Sequence, residues 1–304
     1  MDNLCPVPLR KYMNYRSIFL EPDWIHRRFL GWSDVWPDPD LRILTRRDGP
    51  VRRHLVVSAL PSACLPEILR ETCQLRGALS EVTLHDLIGS PDLAMALERS
   101  GFNEISAERM LNNQTAVIDL TLDEDRLFAS MSADTRRLLR NVEQSGVKYI
   151  GNCQTEPALL RRFLEAYSAM AVERGLAGIT RATLDNQFAS GCARLSAAVN
   201  SSNGSASFAL TFEAGRIAMY HHGVSDGPRD TMLGRAVQWG LIRELKHAGF
   251  AWYDMGGLPT LDPANGITRF KLGFGGEVID LGREFRWTGL VPRLARWTKR
   301  PLGR

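Results

Sequence analysis

Lysine is scarce in this chain of 304 residues. Only five of the 38 basic residues are lysines, at positions 11, 148, 246, 271 and 299, so arginine carries most of the positive charge. The 34 acidic residues leave a formal net charge of +4, which is too close to balance to identify a nucleic-acid or membrane partner. A lysine inside a patterned segment is therefore more informative here than in a lysine-rich protein.

Long apolar runs and paired cysteine motifs are also missing. No apolar run approaches the roughly 18 residues that cross a bilayer, and the first residues lack the basic-then-apolar order of a signal peptide. We therefore expect a cytoplasmic protein without an integral membrane segment. The five cysteines are widely spread and form neither CxxC pairs nor metal-spaced Cys/His sets, so we expect free thiols and no metal.

Alternating strand and helix patterns fill the first third of the chain. RILTRR and RRHLVVSAL flank the turn DGP, and the helical pattern LPEILRETCQLRGA leads to the strand pattern SEVTLHDL. A helix then follows with Ser90 as N-cap, Pro91 in its first turn and Gly101 as its stop, before the strand TAVIDL. This order predicts one α/β unit over residues 1–114.

A second α/β unit is predicted over residues 115–304. Helical patterns over TLDEDRLFASMSADTRRLLRNVEQSGV and EPALLRRFLEAYSAMAVERG precede two strands joined at EAG. A helix with Leu233, Val237, Leu241 and Leu245 on one stripe then leads to the strand FAWYDMGG. The basic tail, residues 283–304, is predicted to pack back on the first domain, to form a phosphate-binding patch, or to be a solvated or membrane-grazing end.

The segment ITRFKLGFGGEVIDL, residues 267–281, alternates apolar and basic residues. The alternation predicts a strand whose Arg269 and Lys271 share one face, followed after Gly-Gly by a second strand. An ammonium group on that face would stabilise an oxyanion or bind a phosphate, although most strand lysines face water. The pair His221–His222 offers a base, but no Ser/His/Asp set or Walker loop is present.

Several stretches together resemble the Fem-type (FemABX) aminoacyltransferases. They are TAVIDLTLDEDRLFASMSADTRRLLRNVEQSGV, YHHGVSDG, QWGLIRELKHAGFAWYDMGG and ITRFKLGFGGEVIDLGREF, in the order and spacing of that family, and the early IFLEPDWIHRRFLGW resembles its entry segment. The resemblance implies an α/β fold of two tandem GNAT-like modules with mixed central sheets. It also implies transfer of an amino acid from aminoacyl-tRNA to an amine, with no bound cofactor.

The resemblance implies catalytic roles for four residues. Phe270 and Lys271 match the family's Phe-Lys pair beside the reacting ester, where Lys271 would stabilise the oxyanion or the departing ribose oxygen. Asp86 matches an aspartate that ends the central strand of the first domain. The base is Asp86, His221 or the ribose oxygen acting through water, and the sequence does not choose among them.

The resemblance also implies substrate-binding residues. Arg181 matches an arginine that grips the acceptor's phosphates, Arg27 and Arg28 fall near a basic acceptor-binding position, and Tyr220 or His221 corresponds to a family aromatic residue. We expect Asp86, Arg181 and Lys271 to line one cleft between the two modules.

Two departures from the family pattern concern the acceptor. Asp185 and Glu81 stand where the family has tyrosines, which favours a small cationic amine or a natural-product intermediate over a nucleotide-sugar of the peptidoglycan type.

Two other functions stay open. An acyl-CoA-dependent GNAT N-acyltransferase would use acetyl-CoA, but its pyrophosphate loop Q/R-x-x-G-x-G/A corresponds to TMLGRA, with Thr231 in place of Gln or Arg. A non-catalytic binding protein on the same fold is the third possibility.

Overall fold

A computed structural model of the chain describes residues 7–8, 17–21, 32–37, 39–106, 109, 112–176, 178–227 and 231–293. Fourteen strands can be followed in these ranges: β1 (Val7–Pro8), β2 (Ser33–Pro37), β3 (Leu41–Asp48), β4 (Val51–Ser58), β5 (Ser80–Asp86), β6 (Asn103–Glu104), β7 (Gln114–Asp119), β8 (Val147–Ile150), β9 (Ala193–Asn200), β10 (Ala206–Ala214), β11 (Ile217–Ser225), β12 (Trp252–Gly257), β13 (Glu277–Asp280) and β14 (Arg283–Thr288).

The described α-helices are α1 (Leu65–Gln74), α2 (Pro91–Arg99), α3 (Glu124–Ser130), α4 (Ala133–Gln144), α5 (Pro157–Arg174), α6 (Arg181–Ala189), α7 (Thr231–His247) and α8 (Gly266–Leu272). Single 3₁₀ turns occur at Ile18–Leu20, Ser62–Cys64 and Cys153–Thr155. Within the described ranges, no helix combines the length and apolar content that a membrane span requires.

The strands form two mixed sheets. One has the order β2-β3-β4-β5-β14-β6 and the other the order β1-β13-β7-β12-β11-β10-β9-β8. Most neighbours are antiparallel, but β4 pairs with β5, β11 with β12 and β1 with β13 in parallel. The chain divides into two compact units, residues 1–115 with 279–304 and residues 116–278. The sequence-predicted second domain, residues 115–304, extends past this division because β14 pairs with β5.

Local sequence explains the elements of the first unit. Gly49, with φ of +60°, makes the turn between β3 and β4, and all seven residues of β5 are buried at the centre of the sheet. Ser90 caps α2 by accepting a hydrogen bond from the backbone N–H of Leu93, as predicted. The core lies between this sheet and helices α1 and α2, with Leu84, Leu97 and Phe285 among its buried residues.

The second unit is built around α7. Its predicted stripe of Leu233, Val237, Leu241 and Leu245 is buried against the sheet. The predicted strands β10 and β11 and helix α5 are also present, whereas β8, β9 and α6 were not predicted from the sequence.

One prediction about this unit is wrong. Residues 266–272 form helix α8 rather than a strand, and only residues 277–280 of the following segment are extended. Residues two positions apart do not share a helix face, so Arg269 and Lys271 do not lie side by side as predicted.

Candidate active site

A cavity of about 790 Å³ lies in the second unit. Its walls come from α5, β10, β11, the first turns of α7, and Phe270 of α8. Apolar side chains such as Phe208, Val224 and Val237 form much of the wall. The charged residues of the lining have both signs: Glu165, Glu173, Arg162 and Arg174 of α5, and Asp226. A cavity of this size accommodates a small ligand or the end of a larger one.

Two irregularities in β11 shape the cavity. The register with β10 shifts between Leu210 and Thr211, which face His222 and Tyr220, so His221 is the extra residue of a β-bulge. The parallel pairing with β12 covers Ile217–Met219 and Trp252–Asp254, although both strands continue beyond these residues. The strand ends beyond this pairing carry Tyr220 and the Gly256–Gly257 pair, which are the surroundings of Lys271.

Lys271 is positioned by the short helix α8. Asn265 caps this helix, because its side-chain oxygen accepts hydrogen bonds from the N–H groups of Ile267 and Thr268. The ammonium group donates a hydrogen bond of 2.8 Å to the carbonyl oxygen of Gly257, at the end of β12. It also lies 5.8 Å from the ring centroid of Tyr220. The helix thus carries the lysine across to the strand end beside the cavity.

The electrostatic setting of Lys271 is unusual for a lysine. Burial lowers its pKa to about 8, and the buried carboxylate of Asp254 opposes that shift. Asp254 is itself held in place, because it accepts a 2.7 Å hydrogen bond from the backbone N–H of Gly256. Near neutral pH Lys271 is therefore a partly desolvated positive charge that donates a hydrogen bond to the carbonyl oxygen of Gly257.

Phe270, the neighbour of Lys271, forms part of the cavity wall. Its ring packs edge-on against Phe274, with 5.4 Å between centroids. The guanidinium carbon of Arg235 lies 5.9 Å from the centroid of the Phe270 ring. The two neighbouring side chains therefore have different positions. The ring of Phe270 lies in the cavity wall, and the ammonium group of Lys271 lies at the end of β12.

Tyr220 also lines the cavity, and its hydroxyl group lies near the buried side chain of Gln238. Gln238 of α7 is 1% exposed and accepts a 2.6 Å hydrogen bond from the hydroxyl of Tyr253 through its side-chain oxygen. Its amide nitrogen makes no hydrogen bond with the described residues. Burial raises the pKa of Tyr220 to about 12, and the nearby amide of Gln238 partly offsets this rise. Tyr220 is thus a neutral hydroxyl beside a buried amide.

Two glycines allow the backbone to approach this site closely. A Cβ atom on Gly223 would collide with the hydroxyl of Tyr220. Gly256 has a φ of +73°, and a Cβ atom there would lie 2.6 Å from the carbonyl oxygen of Tyr220 and 3.4 Å from the ammonium of Lys271. Neither position accepts a side chain without moving Tyr220 or Lys271.

The histidine candidate for a base packs against two other rings. The ring of His221 lies 4.5 Å from that of Phe212 and 3.9 Å from that of His222. His222 in turn stacks on Tyr167 at 4.7 Å. The bulge explains why two consecutive imidazoles are neighbours on one side of the strand.

Arg181 and Asp185 form an ion pair with each other. Both lie in the first two turns of α6, and the guanidinium Nε is 2.7 Å from the carboxylate of Asp185. Both side chains are at least half exposed, and neither is among the described residues that line the cavity. The sequence predicted both residues but not that they bind one another.

Asp86 belongs to the first unit and ends β5, as predicted. Its side chain is 1% exposed, and its two oxygens accept hydrogen bonds of 3.0 and 2.7 Å from the backbone N–H groups of Ile88 and Ser90. Burial raises its pKa, while these backbone bonds oppose the rise. Asp86 therefore stabilises the turn that leads into α2. Arg27 and Arg28 lie outside the described residues.

The geometry around Lys271 suits an acyl transfer step. A fixed positive charge and a hydroxyl donor beside an apolar cavity can stabilise negative charge on a carbonyl oxygen. Within the described part of the chain, no three His, Cys, Asp or Glu side chains are grouped to hold a metal ion. Gln238, Gly223 and Gly256 complete the site and were not predicted, although glycines inside strand patterns signal close backbone approaches.

Residues 129–272 match the acetyltransferase (GNAT) domain family. No curated protein matches the chain in sequence. Among solved structures, FemX is similar with a TM-score of 0.68 at 15% identity, over 91% of this chain and 94% of that one.

Two further solved structures share this fold. The C-terminal domain of a protein described as a lysylphosphatidylglycerol synthetase from Agrobacterium fabrum has a TM-score of 0.56 at 12% identity, over 88% of this chain and 87% of that one. L-PGS from Bacillus licheniformis has a TM-score of 0.51 at 13% identity, over 88% and 86%. At such identities the likeness concerns the fold alone. The chain is an α/β protein of two GNAT-like modules with mixed sheets, and the matched domain is of an acyltransferase type.

Proposed function

We propose that this protein is an aminoacyltransferase that moves an amino acid from aminoacyl-tRNA to an amine. The observation that carries the proposal is the partly buried ammonium of Lys271, held at the end of β12 beside a cavity that Phe270 and Tyr220 line. The sequence resemblance to Fem-type enzymes rests on the same Phe-Lys pair. Because charged tRNA is a cytoplasmic substrate, we expect the protein to act in the cytoplasm.

The reaction needs charge stabilisation more than it needs bond activation. The amine nitrogen attacks the ester carbonyl, a C–N bond forms, the C–O bond to the ribose breaks, and the amine proton ends on the ribose oxygen. Lys271 stabilises the oxyanion, and the Tyr220 hydroxyl supplies a second donor at the cavity wall. Since an ester is already activated, correct placement of a neutral amine accounts for much of the remaining acceleration.

The acceptor is a small-molecule amine or a peptidoglycan-type precursor. The α5 side chains that line the cavity carry both signs of charge, from Glu165, Glu173, Arg162 and Arg174, so they suit an acceptor that has both an amine and an anionic group. The Arg181–Asp185 pair offers one group of each charge on α6 for the rest of the acceptor. His221, Asp86 and the departing ribose oxygen remain alternatives for the base. Because both oxygens of Asp86 are already used in buried hydrogen bonds, the ribose oxygen is favoured over Asp86.

An acyl-CoA-dependent N-acyltransferase is the second candidate. The observation in its favour is the GNAT domain match over residues 129–272, which includes the first turns of α7 with Gly234 and Ala236 in their expected places. Thr231 at the start of that helix remains the departure from the usual loop.

Supplying each donor separately distinguishes the two candidate functions. Purified protein is supplied with a mixture of charged tRNAs or with acyl-CoAs, together with a panel of primary amines, and the products are identified by mass spectrometry. We expect amide products with charged tRNA that disappear after RNase treatment. RNase-resistant product formed from acetyl-CoA would replace the proposal with the second candidate.

A further inference from the structure

A buried glutamine lies beside the apolar stripe of α7. Gln238 is 1% exposed and directly follows Val237, one of the stripe residues. Both residues belong to the lining of the cavity. A polar side chain at such a position costs free energy unless its donors and acceptors are paired, so the hydrogen bonds of Gln238 need an explanation.

The oxygen of this amide is held by Tyr253. The hydroxyl of Tyr253, which is fully buried on β12, donates a 2.6 Å hydrogen bond to Oε1 of Gln238. Burial raises the pKa of Tyr253 well above its ordinary value, so the hydroxyl keeps the proton that it donates. A hydroxyl donor at Oε1 fixes which amide atom is the oxygen, and the amide nitrogen Nε2 is therefore turned away from Tyr253.

The amide nitrogen is an unused donor within the described part of the chain. Nε2 of Gln238 is buried and makes no hydrogen bond with the described residues. Burial raises the pKa of Tyr220 to about 12, and the side chain of Gln238 is close enough to oppose that rise. Tyr220 and Tyr253 belong to the neighbouring strands β11 and β12, where Ala218 is paired with Tyr253. One buried amide thus lies near two phenols, of which Tyr220 belongs to the cavity lining.

The hydrogen bonds of these groups have a fixed direction. An amide N–H donates and cannot accept, so a hydrogen bond from Nε2 to Tyr220 uses the phenol oxygen and leaves the phenol proton for the cavity. Because the pKa of Tyr220 is raised, that proton stays on the hydroxyl at neutral pH. A hydroxyl that presents its proton to a cavity selects an oxygen acceptor, such as a carbonyl, over an N–H donor.

We propose that Gln238 is a positioning residue, which turns the hydroxyl of Tyr220 so that it donates a hydrogen bond to a carbonyl oxygen of the substrate in the cavity. The bond between Nε2 and the phenol oxygen closes when that carbonyl oxygen binds, and it then pairs the unused buried donor. That the oxygen belongs to the acyl group of the donor rests on the proposed function, whereas the direction of the hydrogen bonds does not.

The test measures how much tighter a probe binds when it carries the carbonyl group. Puromycin, a stable amide analogue of an aminoacylated adenosine, is compared with puromycin aminonucleoside, which lacks the acyl group. Acetyl-CoA is compared with CoA in the same way. Calorimetric titration of the full-length protein gives the affinity of each probe, and the ratio of affinities within a pair is the carbonyl preference.

The variants are Gln238→Met, Gln238→Glu and Tyr220→Phe, with Gln187→Met as the matched control. Gln187 is also a largely buried glutamine of a helix, α6, but it is not among the described residues that line the cavity. We expect Gln238→Met to reduce the carbonyl preference about fivefold, the scale of one hydrogen bond. Gln187→Met should leave the preference unchanged, and an equal loss in this control would overturn the role of Gln238.

A double variant separates positioning from direct contact. Tyr220→Phe should reduce the carbonyl preference as much as Gln238→Met does, because the amide acts through the hydroxyl. Combining the two changes should therefore add little to either loss. Losses that add in the double variant would show that the amide binds the carbonyl by itself, which contradicts the positioning role.

Gln238→Glu gives a readout that a packing role would not change. A neutral carboxyl group has an acceptor oxygen and an O–H donor, like the amide, whereas a carboxylate only accepts and would turn the proton of Tyr220 away from the cavity. Burial raises the pKa of such a carboxyl group, so the carbonyl preference should be close to that of the wild type near about pH 5 and should fall as the pH rises. The wild type, which has the same Asp254 and Lys271, is the reference at each pH.

A carbonyl preference of Gln238→Glu that does not change with pH relative to the wild type would overturn the positioning role. This comparison also decides the matter if Gln238→Met folds poorly, because one variant is compared with itself at several pH values.

The two pairs of probes separate this inference from the proposed donor. A loss seen with the puromycin pair supports both the positioning role and an aminoacylated RNA as donor. A loss confined to the acetyl-CoA pair supports the positioning role and replaces the donor with acyl-CoA. If the wild type shows no carbonyl preference in either pair, or if the Gln238 and Tyr220 variants keep the wild-type preference in both, the role of Gln238 is overturned. Amide synthesis from charged tRNA would still establish the proposed function in that case.

Discussion

Asp86 and Lys271 are two charged residues that the sequence resemblance placed in one catalytic group, and the structure gives them different surroundings. Asp86 is almost fully buried, and both of its oxygens accept hydrogen bonds from backbone N–H groups a few residues along the chain. Lys271 is partly buried, donates to the carbonyl oxygen of Gly257, and faces the ring of Tyr220.

The difference lies in how each buried charge is compensated. The contacts of Asp86 are local and hold a turn, which is a stabilising role. The contacts of Lys271 join α8 to the end of β12 and leave ammonium N–H groups for a ligand beside the cavity. Burial raises the pKa of Asp86 and lowers that of Lys271, so a shifted pKa alone does not mark the functional residue.

The largest expected effect is that of removing the Lys271 charge. Lys271→Met should lower kcat on the order of 10²-fold, the scale for losing one oxyanion donor. The same change should raise the free energy of unfolding at pH 7 by about 1–3 kcal/mol, because it removes a charge that burial disfavours. Rate assays and denaturant titration measure the two quantities. A variant that is both less active and less stable would show that Lys271 supports the fold instead.

The pH dependence of kcat provides the second test. Since burial lowers the pKa of Lys271 to about 8, the rate should fall above pH 8, by about tenfold per unit. The unfolded state binds more protons between pH 8 and the ordinary lysine value, so stability should rise with pH in that window. Compared with Lys271→Met, the variant Lys271→Arg should recover part of the activity. It should also abolish the decline in rate above pH 8, because arginine stays charged. If the rate of Lys271→Arg still falls above pH 8, the fall is caused by the titration of another group.

A pair of glycine variants tests the position of the Tyr220 hydroxyl. Gly223→Ala should lower kcat/KM about tenfold, because its methyl group displaces that hydroxyl and small misplacements at a site are costly. Gly178→Ala is the control, since Gly178 is not among the described residues that line the cavity and no heavy atom of the described chain comes within 4 Å of its Cβ position. Steady-state rates measure the activity of both variants, and circular dichroism checks that both are folded. Similar activity of the two variants would remove Tyr220 from the proposed chemistry.

The smallest effect on the chemical step is expected at Asp86. Asp86→Ala leaves two buried N–H groups without acceptors and should cost about 1–3 kcal/mol of stability. Asp86→Asn keeps one acceptor and should cost less. Thermal unfolding measures both, and kcat is compared below the unfolding range. A large loss of kcat in a fully stable Asp86→Asn protein would make Asp86 a catalytic residue and end the contrast with Lys271.

Sequence patterns predicted the long elements better than the short ones. The apolar stripe on α7 is a pattern that extends over many residues, and the caps of α2 are strong local signals. Both predictions were confirmed. The segment around Lys271 was misread because seven residues of mixed pattern fit a strand and a short helix almost equally. Asn265, a strong N-cap residue at its start, was the signal that favoured the helix.

The candidate site was only partly predictable for a related reason. The resemblance supplied Phe270, Lys271 and Tyr220, which the structure places near one cavity. Gln238 carried no local signal, because a polar residue in a helix is ordinarily a surface residue and only the contact with Tyr253 reveals its role. The ion pair of Arg181 with Asp185 follows from helical spacing, but no helix was predicted there from the sequence.

The position of β14 has a consequence for the order of synthesis. This strand lies between β5 and β6 in the sheet of the first unit, yet residues 283–288 leave the ribosome after the whole of residues 116–278. Until then β5 presents an unpaired edge, and its seven buried residues lack a neighbour on that side. The unit that begins the chain is therefore completed last, and premature termination before residue 283 would release a protein with an open, aggregation-prone sheet.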